Sequence, residues 1–412
     1  MAETLLLVLV VVMALAFDFT NGFHDTANAM AASVASGALK PRVAVLLSAA
    51  LNVVGAFLSL SVAATIAKGI VEAGSITLVT VMAGLIGAIL WNLLTWLFGI
   101  PSSSSHALIG GVVGATLVAA GTGAIVVEGL IRKVLLPAVL APVVALVIAT
   151  SVAAVVVRVT RWRSGRSSGR ALRVGQVGAA SLVSLAHGTN DAQKTMGIIT
   201  LALITHGSLS ADGKTPGWVI VSCAMAMGLG TAMGGWRIMR TLGKGLTELG
   251  PPQGFSADCT TSTVVLLSSH FGFPLSTTHV VTGSVLGTGC GTRVAGQRTP
   301  LRWSVAGRMV VAWGVTLPAA GAIAAMSWLL FSLVGGSAGA LMVFGLTVAA
   351  AGGIWLLSRR SRVHAGNVTE EWTGPVAVPV AAPTYLPGLP DAVTMASPEE
   401  QRAVPSAPVA VA

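Results

Sequence analysis

Residues 77–100, TLVTVMAGLIGAILWNLLTWLFGI, carry no charged side chain at all. A helix needs about 20 apolar residues to cross the hydrocarbon layer, and several of the further apolar segments, near 4–36, 43–67, 105–123, 134–158, 174–206, 217–236, 258–272, 279–291, 304–334 and 338–357, reach that length. With only 9% of its 412 residues charged and 54% hydrophobic, the chain reads as an all-α, polytopic membrane protein. A membrane barrel is excluded, because barrel strands read as alternating segments of about 10 residues and nothing here alternates that way. Cys223, Cys259 and Cys290 form no CxxC pair, so neither a metal knuckle nor a disulfide framework is expected. The first apolar run, TLLLVLVVVMALAF, has Glu3 rather than a basic flank and is read as a retained span.

Orientation follows from the arginines. RVTRWRSGRSSGRALR, residues 158–173, is the one strongly basic loop, and basic short loops stay on the cytoplasmic side. Counting crossings from there places the N-terminus outside and the C-terminal tail in the cytoplasm, in a cell (plasma) membrane. The loop is read as facing solvent or lipid headgroups, with no nucleic-acid partner. The expected partition is a first repeat over 1–158, a basic cytoplasmic loop over 159–173, a second repeat over 174–334, a final transmembrane helix over 335–358 and a disordered Pro/Ala/Val-rich tail over 359–412.

Two motifs recur in the same order. PSSSSHALIGGVVG at 101–114 aligns with PLSTTHVVTGSVLG at 274–287, and GFHDTANAM at 22–30 aligns with GTNDAQKTM at 188–196. By the crossing count the two copies run in opposite directions, which makes the chain an inverted-topology repeat. A proline followed by hydroxyls, between two apolar segments, reads as the tip of a re-entrant hairpin, with tips near 101–106 and 274–279. Non-helical backbone at that depth is tolerated only where protein buries it or a cavity lies beside it. Inverted repeats with polar, broken segments at matching places point to a secondary transporter whose site lies between the repeats.

The chemistry follows from the residue types. Helices starting at the two tips aim free N–H groups and the positive end of the helix dipole at a common centre, and the hydroxyls of Ser103, Ser104, Ser105, Ser276, Thr277 and Thr278 add donors for a small anion. Asp25 and Asp191 each cost about 3 kcal/mol at mid-membrane unless paired, so with Asn28 and Asn190 they are read as the coupling-ion site. Taken singly, each hydroxyl more often bonds its own helix, and His24, His106 and His279 more often pack; recurrence of the whole set in both halves favours a supporting role for them in a site. Lys194 stands one helical turn from Asp191 and is expected to pair with it, which leaves Asp25 as the carboxylate expected to exchange a proton. Neither a catalytic residue nor a resident metal or other cofactor is expected, and enzyme activity finds no support.

At these residues the chain resembles the inorganic phosphate transporter (PiT) family, whose hallmark is a GANDVANA-like sequence in each half. GFHDTANA at 22–29, GTNDAQKT at 188–195, the two serine/threonine-rich hairpins and MGLGTAMGGWRIMRTLG at 227–243 carry the resemblance over roughly residues 15–330. His24 in place of the usual asparagine, and Gln193-Lys194 in place of Ala-Asn, look like the bacterial low-affinity phosphate permease branch. The resemblance implies a secondary active transporter that imports inorganic phosphate, alone or as a metal–phosphate complex, by symport with H+ or Na+. A sulfate or other tetrahedral-oxyanion permease is the alternative it leaves open. The partners it implies are inorganic phosphate, membrane lipids and a second copy of the chain in a homodimer.

Overall fold

The structure is a computed structural model that describes residues 2–68, 74, 76–162 and 166–370. Helices make up most of it, and no strand occurs among the described residues. In chain order they are α1 (Ala2–Ala35), α2 (Pro41–Gly55), α3 (Ser61–Lys68), α4 (Leu78–Leu97), α5 (Ser104–Ala120), α6 (Val127–Leu130) and α7 (Leu136–Trp162). The second half holds α8 (Arg166–Thr205), α9 (Gly217–Met233), α10 (Trp236–Lys244), α11 (Pro251–His270), α12 (Thr277–Val294) and α13 (Trp303–Val334), followed by α14 (Gly336–Ser358). Among the described residues five helices are long and apolar enough to span a membrane, or six if α9 and α10, bent by 67° at Gly234-Gly235, form one span. Apolar side chains such as Val139, Val143 and Val147 on α7 and Leu346 and Val348 on α14 stay exposed, as surfaces facing lipid require.

The halves exchange partners. α1 packs against α9 and α10 of the second half, and α8 packs against α2 and α3 of the first; α5 packs against α13, and α12 against α7. Glycine makes these crossings possible. A Cβ on Gly110 or Gly114 would meet the carbonyl oxygens of Leu317 and Gly321 at 2.3 Å, and one on Gly283 or Gly287 would meet those of Pro142 and Leu146 at 2.2 and 2.4 Å. The Gly-x-x-x-Gly spacing that the aligned hairpins share is therefore a packing device, since small residues let helix backbones approach when no hydrophobic driving force exists between helices in lipid.

Both hairpins turn in the same way. α4 ends with Gly99 at φ 65°, where the Gly99 N–H donates to Trp96 O and the Ile100 N–H to Thr95 O. α11 ends with Gly272 at φ 74°, with Gly272 N–H to Ser269 O and Phe273 N–H to Ser268 O. This left-handed cap satisfies the last carbonyls of each helix and suits glycine, which has no Cβ to clash.

Three sequence expectations change. The segment 43–67 is broken at 56–60 into α2 and α3. The basic stretch 159–173 is helical on both sides of 163–165, which lie outside the described residues; at its start Arg161 Nη1 donates to Ala295 O, beside the bond from Arg158 Nη2 to Val294 O, at the C-terminus of α12. The tail begins docked rather than loose. Arg237 on α10 donates to Ser358 O and Ser361 O, Arg240 pairs with Glu370 at 3.6 Å, and Val368 is buried. The remainder of the expected disordered tail, 371–412, lies outside the described residues.

Candidate functional site

Both copies of the aspartate motif sit within unbroken helices, α1 and α8, and the two helices touch side by side. The chain breaks only at the hairpin tips, which meet the motif face to face. On the first tip the Ser104 hydroxyl donates to Asp25 Oδ2 at 2.8 Å; on the second the Thr277 hydroxyl donates to Asp191 Oδ2 at 3.2 Å. Ser104 and Thr277 are aligned positions, so each half bonds its own carboxylate to its own tip.

The next residues of the motif reach across. Asn28 Nδ2 donates to Thr277 and Thr278 at 3.2 and 2.9 Å, while Lys194, the aligned position in the other half, donates from Nζ to Ser105 Oγ at 2.5 Å and to Leu275 O at 3.0 Å. Asn190 Nδ2 donates to Leu275 O at 2.9 Å, and its counterpart His24 sets Nε2 3.4 Å from Ser102 Oγ and 3.3 Å from Thr95 Oγ1. Thr278 Oγ1 donates to Ser102 O at 3.0 Å and ties the tips to each other. Every one of these side chains is buried.

The charges are not symmetric. Asp191 forms an ion pair with Lys194 and stands 2.9 Å from His187 Nε2. Asp25 has His24 Nδ1 at 2.6 Å and His187 Nε2 at 3.9 Å. Sequence reasoning missed His187, although its signal is plain in retrospect: it precedes Asp191 by four residues and Lys194 by seven, and so shares their helix face. Asn52 holds the other ring nitrogen, with Oδ1 3.2 Å from His187 Nδ1, and is itself held by a bond from its amide to Thr231 Oγ1. Ligand atoms of Asp25, His187 and Asp191 all lie within 4.8 Å of one another, a donor set that a cation can bridge.

Four expected site residues have structural work in addition. Ser103 and Ser276 are the N-caps of α5 and α12, accepting from the His106 and His279 N–H groups. The rings of His106 and His279 meet edge to face at 4.8 Å, and His279 also lies 4.0 Å from the Trp313 ring with Nδ1 3.1 Å from Ala138 O. These two histidines join the hairpins to each other and to α13 and the start of α7. Capping leaves the N–H groups of Ser104, Ser105, Thr277 and Thr278 in the first turns of their helices, where helix geometry gives them no intrahelical acceptor.

The phosphate transporter family profile matches residues 21–171 and again 154–324, once for each half. The chain belongs to the phosphate transporter family. Its relatives include a probable low-affinity inorganic phosphate transporter of Mycobacterium tuberculosis (strain ATCC 25618 / H37Rv), 57% identical over 373 residues that make up 90% of this chain and 88% of the relative. The protein of the same description in Bacillus subtilis (strain 168) is 43% identical over 80% of this chain and 98% of its own length. A solved structure described as the sodium-dependent phosphate transporter superposes with a TM-score of 0.71, covering 80% of this chain and 99% of that one at 23% identity, and so has the same fold.

Proposed function

We propose that this protein carries inorganic phosphate inward across the plasma membrane, and that proton uptake drives it. The observation that carries this reading is the convergence of two helix N-termini, four hydroxyls and two carboxylates on one buried centre. Hydrogen phosphate is both acceptor and donor: its oxygens take bonds from N–H groups, hydroxyls and the Lys194 ammonium, and its own O–H donates to a carboxylate. Sulfate at neutral pH has no proton to give, so a site with Asp25 and Asp191 at its edge favours phosphate. Lys194 stands where the first half has Asn28, and this built-in cation replaces a second bound one, which supports H+ over Na+ as the coupling ion. A divalent metal arriving with phosphate would meet Asp25, His187 and Asp191.

In this reading Ser104, Ser105, Thr277 and Thr278 bind the anion, Asp25, Asn28, Asn190 and Asp191 form the coupling site, and the hairpins are re-entrant within inverted halves. The antiparallel register of α1 and α8 supports the inversion, since Asp25, later in α1, lies by His187, earlier in α8, while Asp18 lies by Thr195. The N-terminus is then outside and residues 359–412 are cytoplasmic.

Uptake of labelled phosphate into liposomes containing the purified protein tests this, with pH and sodium gradients imposed separately and sulfate as competitor. Accumulation driven by an acid exterior and resistant to sulfate is expected; accumulation that follows sodium alone, or inhibition by sulfate at equal concentration, contradicts the reading. For orientation, a cysteine replacing Gly169 should react with an impermeant thiol reagent only in opened cells, and one replacing Lys214 should react from outside. Labelling of both from one face would mean that the halves are not inverted.

A further inference from the structure

Asp18 is a third carboxylate near the site, and no role above uses it. It is fully buried on α1, and neither of its oxygens has a hydrogen-bond partner among the described residues. Asp25 lies seven residues on, two turns along the same face of α1 and about 10 Å away by helix rise. The charged and titratable groups whose fields reach Asp18 come from two elements, Asp191, Lys194 and His187 on α8 and Cys223 on α9, and the nearest of the polar groups is Thr195 on α8. Thr195 follows Asp191 by four residues and His187 by eight. Thus Asp18, Asp25 and the stripe His187, Asp191, Thr195 run along the seam between two antiparallel helices.

The contrast with the other carboxylates is informative. Asp25 accepts from Ser104 and lies against His24; Asp191 is paired with Lys194 and His187. Asp258 on α11, also buried, accepts from Ser33 at 3.0 Å and from Gln176 at 3.3 Å. Asp18 has only the Thr195 hydroxyl beside it, and that hydroxyl is itself without a bond among the described residues. An ionised carboxylate buried away from water with no hydrogen bond made to either oxygen is expensive, and a proton removes the cost.

We propose that Asp18 is a proton-binding residue of the transport cycle, placed between the phosphate site and the outer face. A proton from external water adds to one carboxylate oxygen of Asp18 to give the neutral acid, and the same O–H bond breaks when the cycle delivers that proton inward; no other bond changes. The position follows from the helices: in the orientation proposed above, the start of α1 and the end of α8 point outward, and Asp18 and Thr195 lie on that side of Asp25 and Asp191. This inference rests on the phosphate-transport reading and extends it to a residue outside the motif.

The test uses full-length protein in liposomes. Phosphate exchange between two phosphate-loaded sides needs no net proton movement, so Asp18→Asn should keep exchange and lose accumulation driven by a pH gradient. Asp18→Glu should keep both, with the pH dependence of uptake displaced from that of the parent. Infrared difference spectra between acid and alkaline conditions should show a protonated-carboxyl stretching band that Asp18→Asn lacks. Equal pH-driven accumulation by Asp18→Asn and the parent would overturn the proposal, as would identical behaviour of the Asn and Glu variants, or a parent that exchanges phosphate yet ignores pH. A parent that exchanges no phosphate would instead overturn the phosphate-transport reading itself. Should Asp18→Asn fail to fold, the displaced pH profile of Asp18→Glu and the infrared band of the parent carry the test.

Discussion

The two halves of the site share one hydrogen-bond skeleton and differ in charge. In each, a motif aspartate accepts from the hydroxyl of its own hairpin, Ser104 to Asp25 and Thr277 to Asp191, and the residue three places later crosses to the other hairpin. The first half makes that crossing with a neutral amide, Asn28, and the second with an ammonium, Lys194. A duplicated scaffold thus fixes where groups stand, while substitution at single aligned positions decides which half holds fixed charge. The second half is locked by its ion pair, and the first half has His24 beside its aspartate and the neutral Asn28 at the aligned place.

The largest effect should come from unlocking the second half. Asp191→Asn leaves Lys194 buried without its carboxylate, and breaking a buried pair costs about 3–5 kcal/mol, so yield and thermal stability in detergent should fall sharply. Asp25→Asn strands no lysine and should destabilise less. Restoring neutrality with Asp191→Asn combined with Lys194→Asn should recover much of the lost stability. Equal losses for Asp25→Asn and Asp191→Asn, with no recovery in the double variant, would remove the distinction between the halves.

A smaller effect checks that the skeleton really is shared. Gly110→Ala and Gly283→Ala each push a methyl into a facing carbonyl, at Leu317 and Pro142 respectively, and should destabilise both halves alike by about 1–3 kcal/mol. Gly345→Ala on α14 meets nothing within 4 Å and should stabilise slightly, by about 0.5–1 kcal/mol, through the better helix propensity of alanine. Thermal melting of the three proteins reads all of this in one series.

Much of this was legible in the sequence because the signals were local or repeated. The all-α membrane class, the helix breaks before Ser104 and Thr277 and the Asp191–Lys194 pair each rest on composition, proline-hydroxyl punctuation or one-turn spacing. What escaped lay in contacts between distant segments. Asn52 and Ser102 join the site only because α2 and the first tip fold onto α8 and α1, and no spacing along the chain announces that. Asp25, expected to lack a partner, gains Ser104 from a hairpin 79 positions away, and the carboxylate left without one is Asp18. Ser103 and Ser276 could have been read as caps, since each is the hydroxyl directly before a helix start.

The central claim is that two half-sites build a single phosphate site. Equilibrium binding of labelled phosphate to the purified protein measures this directly, through its stoichiometry and its dependence on each tip. One phosphate per chain is expected. Ser104→Ala and Thr277→Ala should each weaken its affinity, by about 1–3 kcal/mol for a lost bond to a charged group, because the same anion touches both tips. Two phosphates per chain, or a single phosphate whose affinity is unchanged by alteration of one of the tips, would contradict the account.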